Sequence, residues 1–268
     1  MNQAVIIAVG TELLFGTTLN TNAPSLSKAL HSLGIGVLAH LTVGDNPRRL
    51  RRMLQVAFEE ADIVITTGGL GPTQDDLTKE VISEFMGVPL EYDQYAKQCL
   101  EERIASLGRK SYTPNNLKQA YLPKGCTPFY NNAGTAPGFA LEQDGRLIIA
   151  LPGPPKEMER MMADSVTAYL TGRSGKTIYS EMLHFYRMGE SAIETALLPL
   201  IDQQSDPTIA TYAKEGDCMV RISSMRNSAQ EARSAVQHMA QQAKQLVEEY
   251  HQAQHGQPYP VPIPTDIL

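Results

Sequence analysis

Apolar positions in the first half of the chain follow two alternating rhythms. The run from Ala4 to Val9 is almost wholly apolar, as a strand covered on both faces must be. Leu26, Ala29, Leu30 and Leu33 then recur at helical intervals, with Pro24 suited to the first turn and Gly34 to the stop. Ile35 to Val43 predicts a second strand, and Asn46-Pro47 is a cap-and-start pair for a helix carrying Leu50, Met53, Leu54, Ala57 and Phe58. Ile63 to Ile65 predicts a third strand, and a further helical pattern starts near Leu77. Strand–helix alternation with short links predicts an α/β fold with a largely parallel sheet between helical layers. Tyr95 to Leu107 continues as a helix stopped by Gly108, and Gly138 to Leu151 reads as a hairpin turning at Asp144-Gly145. Pro152 to Pro155 opens a helix containing Met158, Met161, Met162 and Val166.

The pattern changes after Thr171-Gly172-Arg173-Ser174-Gly175, which marks the expected boundary. Residues 1–172 are assigned to one domain and 176–250 to a smaller one. The second runs β-α-β-β-α, with strands over Thr177 to Arg187, Thr208 to Ala213 and Cys218 to Ser223. Its helices are expected at Ser191 to Ile201 and Ala229 to Tyr250. Residues 251–268 are proline-rich and expected to form an extended tail.

Composition narrows the picture. At 268 residues and 42% hydrophobic, the chain has material for two packed cores. A net charge of -6 argues against a general nucleic-acid surface. The one dense basic cluster, Arg48, Arg49, Arg51 and Arg52, reads first as a solvated helix face. Cys99, Cys126 and Cys218 fit neither a disulfide framework nor zinc spacing, so reduced thiols in a cytoplasmic protein are expected. The first apolar run is too short to span a membrane. The six histidines show no metal spacing, and the P-loop lysine pattern and nucleophile elbow are both missing.

Candidate chemistry gathers where strands end. Thr66-Thr67-Gly68-Gly69-Leu70-Gly71-Pro72-Thr73-Gln74-Asp75-Asp76 delivers a glycine turn to a helix start, where bare amides and partial positive charge favour an anion. Gly68, Gly69, Gly71, Pro72 and Thr73 are therefore candidate phosphate-binding residues. Two adjacent carboxylates there make sense with a divalent cation (Mg, Mn or Co) held by Asp75 and Asp76. The plainer alternative makes Asp76 a helix cap. Gly10, Thr11 and Glu12 end the first strand; Glu12 serves as a metal or ribose ligand, or is simply exposed. Asn22 reads as a helix cap or as a reader of base or ribose. Asp45 is the candidate base that orients water, with Asn46 as a cap. The small-residue loop containing Asn132, Gly134, Thr135, Ala136 and Pro137 either admits a flat ring or is only a connector. Pro152, Gly153 and Pro154 form a stiff wall, and Glu157 follows in the first turn of the next helix.

Taken together, Gly10-Thr11-Glu12-Leu13-Leu14, Thr42-Val43-Gly44-Asp45-Asn46, Gly68 to Thr73 with Asp75-Asp76-Leu77-Thr78, Asn132 to Gly138 and Leu151 to Met158 resemble the N-terminal part of the competence-damage-inducible protein A (CinA) family. Gly189-Glu190-Ser191 and Val220-Arg221-Ile222 look like that family's KH-type middle domain. The resemblance implies a three-layer α/β/α molybdopterin-binding-like fold followed by a small α+β KH-type domain. It implies metal-dependent cleavage of ADP-ribose to AMP and ribose 5-phosphate, with a non-hydrolytic molybdopterin- or nucleotide-binding protein as the alternative. A homodimer without nucleic-acid or membrane partners is expected. The chain ends where the family's amidase domain would begin, so no deamidase activity is assigned. Two departures stand out. Asp75-Asp76 replaces the Arg-Asp pair of the molybdopterin enzymes, which favours metal mediation over direct phosphate pairing. Asn20 stands where the family commonly has Asp. The KH-type region also lacks a clear G-x-x-G clamp.

Overall fold

The computed structural model describes residues 3–106, 108, 113–174, 177–214 and 216–268. The chain divides into two compact units, Met1–His31 with Ile35–Ser174, and Gly175–Leu268 with Ser32–Gly34.

The first unit runs β1 (Gln3–Val9), α1 (Thr11–Leu14), α2 (Asn22–Ser32), β2 (Gly36–Val43), α3 (Pro47–Glu60), β3 (Ile63–Thr67), α4 (Thr78–Met86), β4 (Leu90–Tyr92) and α5 (Gln94–Ser106). A 3₁₀ turn at Pro114–Ala120 leads to β5 (Tyr121–Pro123), β6 (Thr127–Phe129), β7 (Gly138–Gln143), β8 (Arg146–Leu151), α6 (Pro155–Met161) and α7 (Thr167–Ser174). The main sheet has the order β2-β1-β3-β8-β7-β6. Its first four strands are parallel; β7 and β6 close one side antiparallel, and β4 pairs with β5 apart from it.

Burial explains the continuous apolar strands. Val5, Ile7, Val64 and Ile148 pack with Leu50 and Leu54 of α3 and Val81 and Ile82 of α4. The alternate residues Ala4, Ile6, Ile63 and Ile65 are also at most 1% exposed, so both faces of the sheet are covered. Leu26, Leu30, Met158 and Met161 supply buried side chains from α2 and α6. Each such Leu or Ile contributes about 1.5–3 kcal/mol. The β7–β8 hairpin turns at Asp144 (φ 51°) and Gly145 (φ 77°), the left-handed pair that a two-residue turn requires.

The second unit runs β9 (Thr177–Tyr186), α8 (Glu190–Ile201), β10 (Thr208–Lys214), β11 (Asp217–Arg226), α9 (Ala229–His255) and β12 (Thr265–Ile267). Its antiparallel sheet, β10-β11-β9-β12, lays Leu183, Phe185, Val220 and Ile222 against Ile193 and Leu197 of α8 and Val236, Ala240 and Val247 of α9. Ser228 caps α9 by accepting the Glu231 amide at 3.2 Å. Among the described residues no helix is long and apolar enough to cross a membrane.

Several expectations change. The three-residue strands β4, β5 and β6 and the one-turn helix α1 are too short for a periodicity to register. Thr171 to Ser174, read as a boundary turn, is the last turn of α7; Gly175 and Leu107 lie outside the described residues. The proline-rich tail, expected to be extended, is also docked on its own unit. Thr265–Ile267 pairs with β9, and the Tyr259 hydroxyl donates to the Tyr186 carbonyl at 2.6 Å.

Candidate functional site

A cavity of about 540 Å³ opens beyond the carboxyl ends of the parallel strands, where ligands bind in sheets of this kind. The ends of β1 (Gly10, Glu12), β2 (Asp45) and β3 (Gly68, Gly69, Gly71, Pro72) all reach it. Asp75 and Asp76 line it from the loop before α4, Thr135 and Ala136 from the small-residue loop, and Pro152, Gly153 and Pro154 from the end of β8. Of the remaining sequence candidates, Thr11, Thr73, Asn132, Gly134 and Pro137 do not line it, and Asn22 faces an adjoining space of about 60 Å³.

The acidic pair is organised by Thr73. Its hydroxyl lies 2.5 Å from both Asp75 Oδ1 and Asp76 Oδ2, and its amide donates to Asp76 Oδ2 at 2.9 Å. Asp76 therefore does not cap α4; that position is Leu77, which provides no side-chain cap. The Thr73 hydroxyl bond, with help from a backbone amide, holds the Asp75 carboxyl below the ordinary carboxylate range. Lys118 grips the same loop from outside. Its ammonium donates to the Thr73 carbonyl at 3.3 Å and to the Asp76 carbonyl, and pairs with Glu80 at 3.5 Å. Beneath it the buried Lys79 donates to the Lys118 carbonyl at 2.6 Å, and burial pulls its ammonium down to about 8.

The glycines divide by what their backbones do. Gly68 adopts φ 106°, and a Cβ there would run into the Val9 carbonyl. Its N–H is taken by the Leu151 carbonyl at 3.0 Å, so Gly68 shapes the turn and offers no amide to a ligand, contrary to expectation. The amides of Gly69 and Gly71 have no acceptor among the described residues. At Gly71 a Cβ would approach Asp76 Oδ2 to 2.5 Å, so only glycine lets this backbone close on the carboxylate.

Asp45 and Thr11 fasten two strand ends together. Asp45 Oδ2 accepts the Thr11 amide at 2.8 Å and hydroxyl at 2.7 Å. That oxygen is committed to structure, while Asp45 still lines the cavity. Glu12 begins the first turn of α1, with its carboxylate against Gly10. Among the described residues no three His, Cys, Asp or Glu side chains gather as a metal cage, so Glu12 does not complete a set with Asp75 and Asp76. Asn22 is not the cap of α2. Asn20 Oδ1 accepts the Ala23 amide, while Asn22 Nδ2 donates to Thr67 Oγ1 and the Gly153 carbonyl, both at 2.8 Å.

Asn131 decides which loop residues reach the cavity. Its Oδ1 accepts the amides of Ala133 and Gly134, and its Nδ2 donates to Glu157 Oε2 at 2.7 Å. The loop is thereby folded on itself, and Asn132 turns outward to Asp164. Glu157 acts as an anchor for this loop besides sitting in the first turn of α6. Sequence reasoning passed over Lys118 and Gln119. Gln119 is 2% exposed and lines the cavity, and its Oε1 has no partner. No spacing signal marks a residue in a 3₁₀ turn between short elements.

Comparison with known proteins now places the chain. A family profile described as "Probable molybdopterin binding domain" matches residues 5–172, and one described as "Damage-inducible protein CinA KH domain" matches 180–251. The crystal structure of the CinA protein of Thermoplasma acidophilum, titled as of unknown function, is 36% identical with a TM-score of 0.57. The match covers 62% of this chain and 97% of that one. The chain belongs to the CinA family. Its CinA relatives include the "Putative competence-damage inducible protein" of Acetivibrio thermocellus, 47% identical over 229 residues, and the "CinA-like protein" of Dictyoglomus turgidum, 45% identical over 245 residues. These matches cover 85% and 91% of this chain but 55% and 59% of the relatives, so the chain spans a little over half their length. The cavity of this CinA-family chain lies wholly within the segment matched by the first profile.

Proposed function

We propose that this CinA-family chain hydrolyses the diphosphate of a nucleotide such as ADP-ribose, adding water to give AMP and ribose 5-phosphate, with a divalent cation. The observation that carries the reading is that Gly69 and Gly71, whose amides have no acceptor among the described residues, line the same cavity as Asp75 and Asp76. The donor set fits a hard cation. Both carboxylates crowd one hydroxyl, and its single proton serves only one of them. Mg-type ions are commonly held by one or two carboxylates together with substrate phosphates, so a third protein carboxylate is not required. When bound, such an ion polarises the phosphoryl group and lowers the pKa of water.

The chain's own residues do the rest. Gly69 and Gly71 hold phosphate oxygens, Asp45 keeps the ends of β1 and β2 in register, and Thr135, Ala136 and Pro152–Pro154 wall the space for the nucleoside. The test is AMP release from ADP-ribose with and without Mg, Mn or Co. An Asp75→Asn, Asp76→Asn double variant that retained full activity would remove the metal role from this pair.

A second reading, binding of molybdopterin or a nucleotide without turnover, is favoured by the commitment of Asp45 Oδ2 to Thr11, which takes one oxygen of the candidate base out of play. Tight nucleotide binding without product in any of the three metals would select it.

A further inference from the structure

We propose that Gln119 reads the base of the bound nucleotide, pairing its carboxamide with the amino-and-ring-nitrogen edge of adenine. The inference rests on the nucleotide reading above and adds to it a choice of base. Gln119 lies in the 3₁₀ turn Pro114–Ala120 and is 2% exposed, yet it borders the cavity together with Asp75, Asp76 and Gly71. Its Oε1 is buried with no hydrogen-bond partner among the described residues. An unpaired buried acceptor is costly and is retained where a ligand or water completes it.

The chemistry of the cavity says what completes it. Oε1 accepts only, so it cannot pair with a diphosphate or with the two carboxylates, all of which are acceptors too. It needs a donor. Nε2 shares the same planar head, so a ligand edge that meets Oε1 with a donor is best matched if it also offers an acceptor alongside. The N6 amino group and N7 of adenine present that pair, and a glutamine carboxamide meets them in a bidentate fashion. On that same edge a 6-oxo purine puts an acceptor, O6, where the donor is required.

The backbone that carries the head is held in place. The preceding residue, Lys118, is bonded to the Thr73 and Asp76 carbonyls, and its own carbonyl receives Lys79 at 2.6 Å. The backbone beside Gln119 is thus tied to the acidic loop through the Lys118 side chain and to α4 through Lys79. A fixed, dehydrated amide discriminates between bases far better than a mobile one, because the wrong partner leaves it unsatisfied.

The experiment measures Kd by calorimetry, in Mg, for methylene-bridged ADP-ribose and its hypoxanthine counterpart, neither of which can be cleaved. The wild-type chain is expected to bind the adenine compound about tenfold tighter. Gln119→Met should bring the ratio close to one, chiefly by weakening the adenine compound, without lowering the thermal midpoint, since it removes the orphaned acceptor. A merely structural glutamine would change the midpoint and leave the ratio alone. Gln119→Glu keeps the shape and loses the donor, so it should also shrink the ratio and serves if the methionine variant does not fold. Equal binding of both compounds by the wild type, or a ratio that survives in the variants, overturns the role of Gln119 while leaving the nucleotide reading intact. Failure of the wild type to bind either compound overturns both. Weaker Mn binding by the variants in the absence of nucleotide, with the base ratio unchanged, would make Gln119 a cation ligand and overturn base reading.

Discussion

Asp45 Oδ2 accepts two bonds from Thr11, the amide at 2.8 Å and the hydroxyl at 2.7 Å, across 34 residues of chain. The contact joins the ends of β1 and β2 where the cavity begins. A double-mutant cycle with Thr11→Val and Asp45→Asn is expected to give a coupling of about 1 kcal/mol in urea unfolding. Zero coupling would mean that water serves both groups equally well. The same variants should weaken nucleotide binding if this clasp sets the cavity's geometry.

Gly68 should tolerate substitution worse than other left-handed glycines. Gly87 (φ 70°) has open space where a Cβ would stand, whereas Gly68 (φ 106°) has the Val9 carbonyl. Gly87→Ala should cost about 1 kcal/mol from backbone strain alone, and Gly68→Ala more than about 2 kcal/mol. Denaturant midpoints of the two variants test the order; equal losses would show that the strand ends separate without cost.

Lys79 gives stability a slope at alkaline pH. Its pKa falls from 10.5 to about 8 on folding because burial disfavours the ammonium. Between those values the unfolded chain binds more protons, so this group makes stability rise with pH from about 8 to about 10.5. Lys79→Met should flatten that rise relative to the wild type. Unfolding free energies at pH 7.5, 9 and 10.5 measure the difference, and parallel curves would refute the assignment.

His184 acts in the opposite sense. Asp217 Oδ2 bonds its Nδ1 at 2.8 Å and Asp266 Oδ2 its Nε2 at 3.1 Å; the Asp217 bond is the larger cause of a pKa above 6.5. A raised histidine pKa means that the stabilisation is complete below pH 6.5 and fades as pH rises through the folded value. NMR titration of the ring should show a pKa above 6.5 that Asp217→Asn brings down. Because Asp266 lies on β12, the protection factors of the Thr265–Ile267 amides, taken relative to the base-catalysed intrinsic rate, should fall at alkaline pH and in Asp266→Asn. Protection indifferent to both changes would leave the strand held by its backbone bonds alone.

The sequence by itself determined the layered α/β plan, the second small domain and the sites of the tight turns. Those features follow from local signals: apolar runs from Ala4 to Val9 and Ile63 to Ile65, caps such as Asn46, whose Oδ1 does accept the Arg49 amide, and Asp144-Gly145. It also marked strand ends that line the cavity, because glycines and carboxylates after strands are written consecutively. Only the tertiary structure decided which of those groups are free. Gly68 loses its amide to Leu151, Asp45 spends an oxygen on Thr11, and Asn22 ties Thr67 to Gly153, while Gln119 is left buried and unpaired. Each of these depends on a partner 34 or more residues away, or on its absence. A hydrogen bond across such a distance leaves no periodic trace in the chain that makes it.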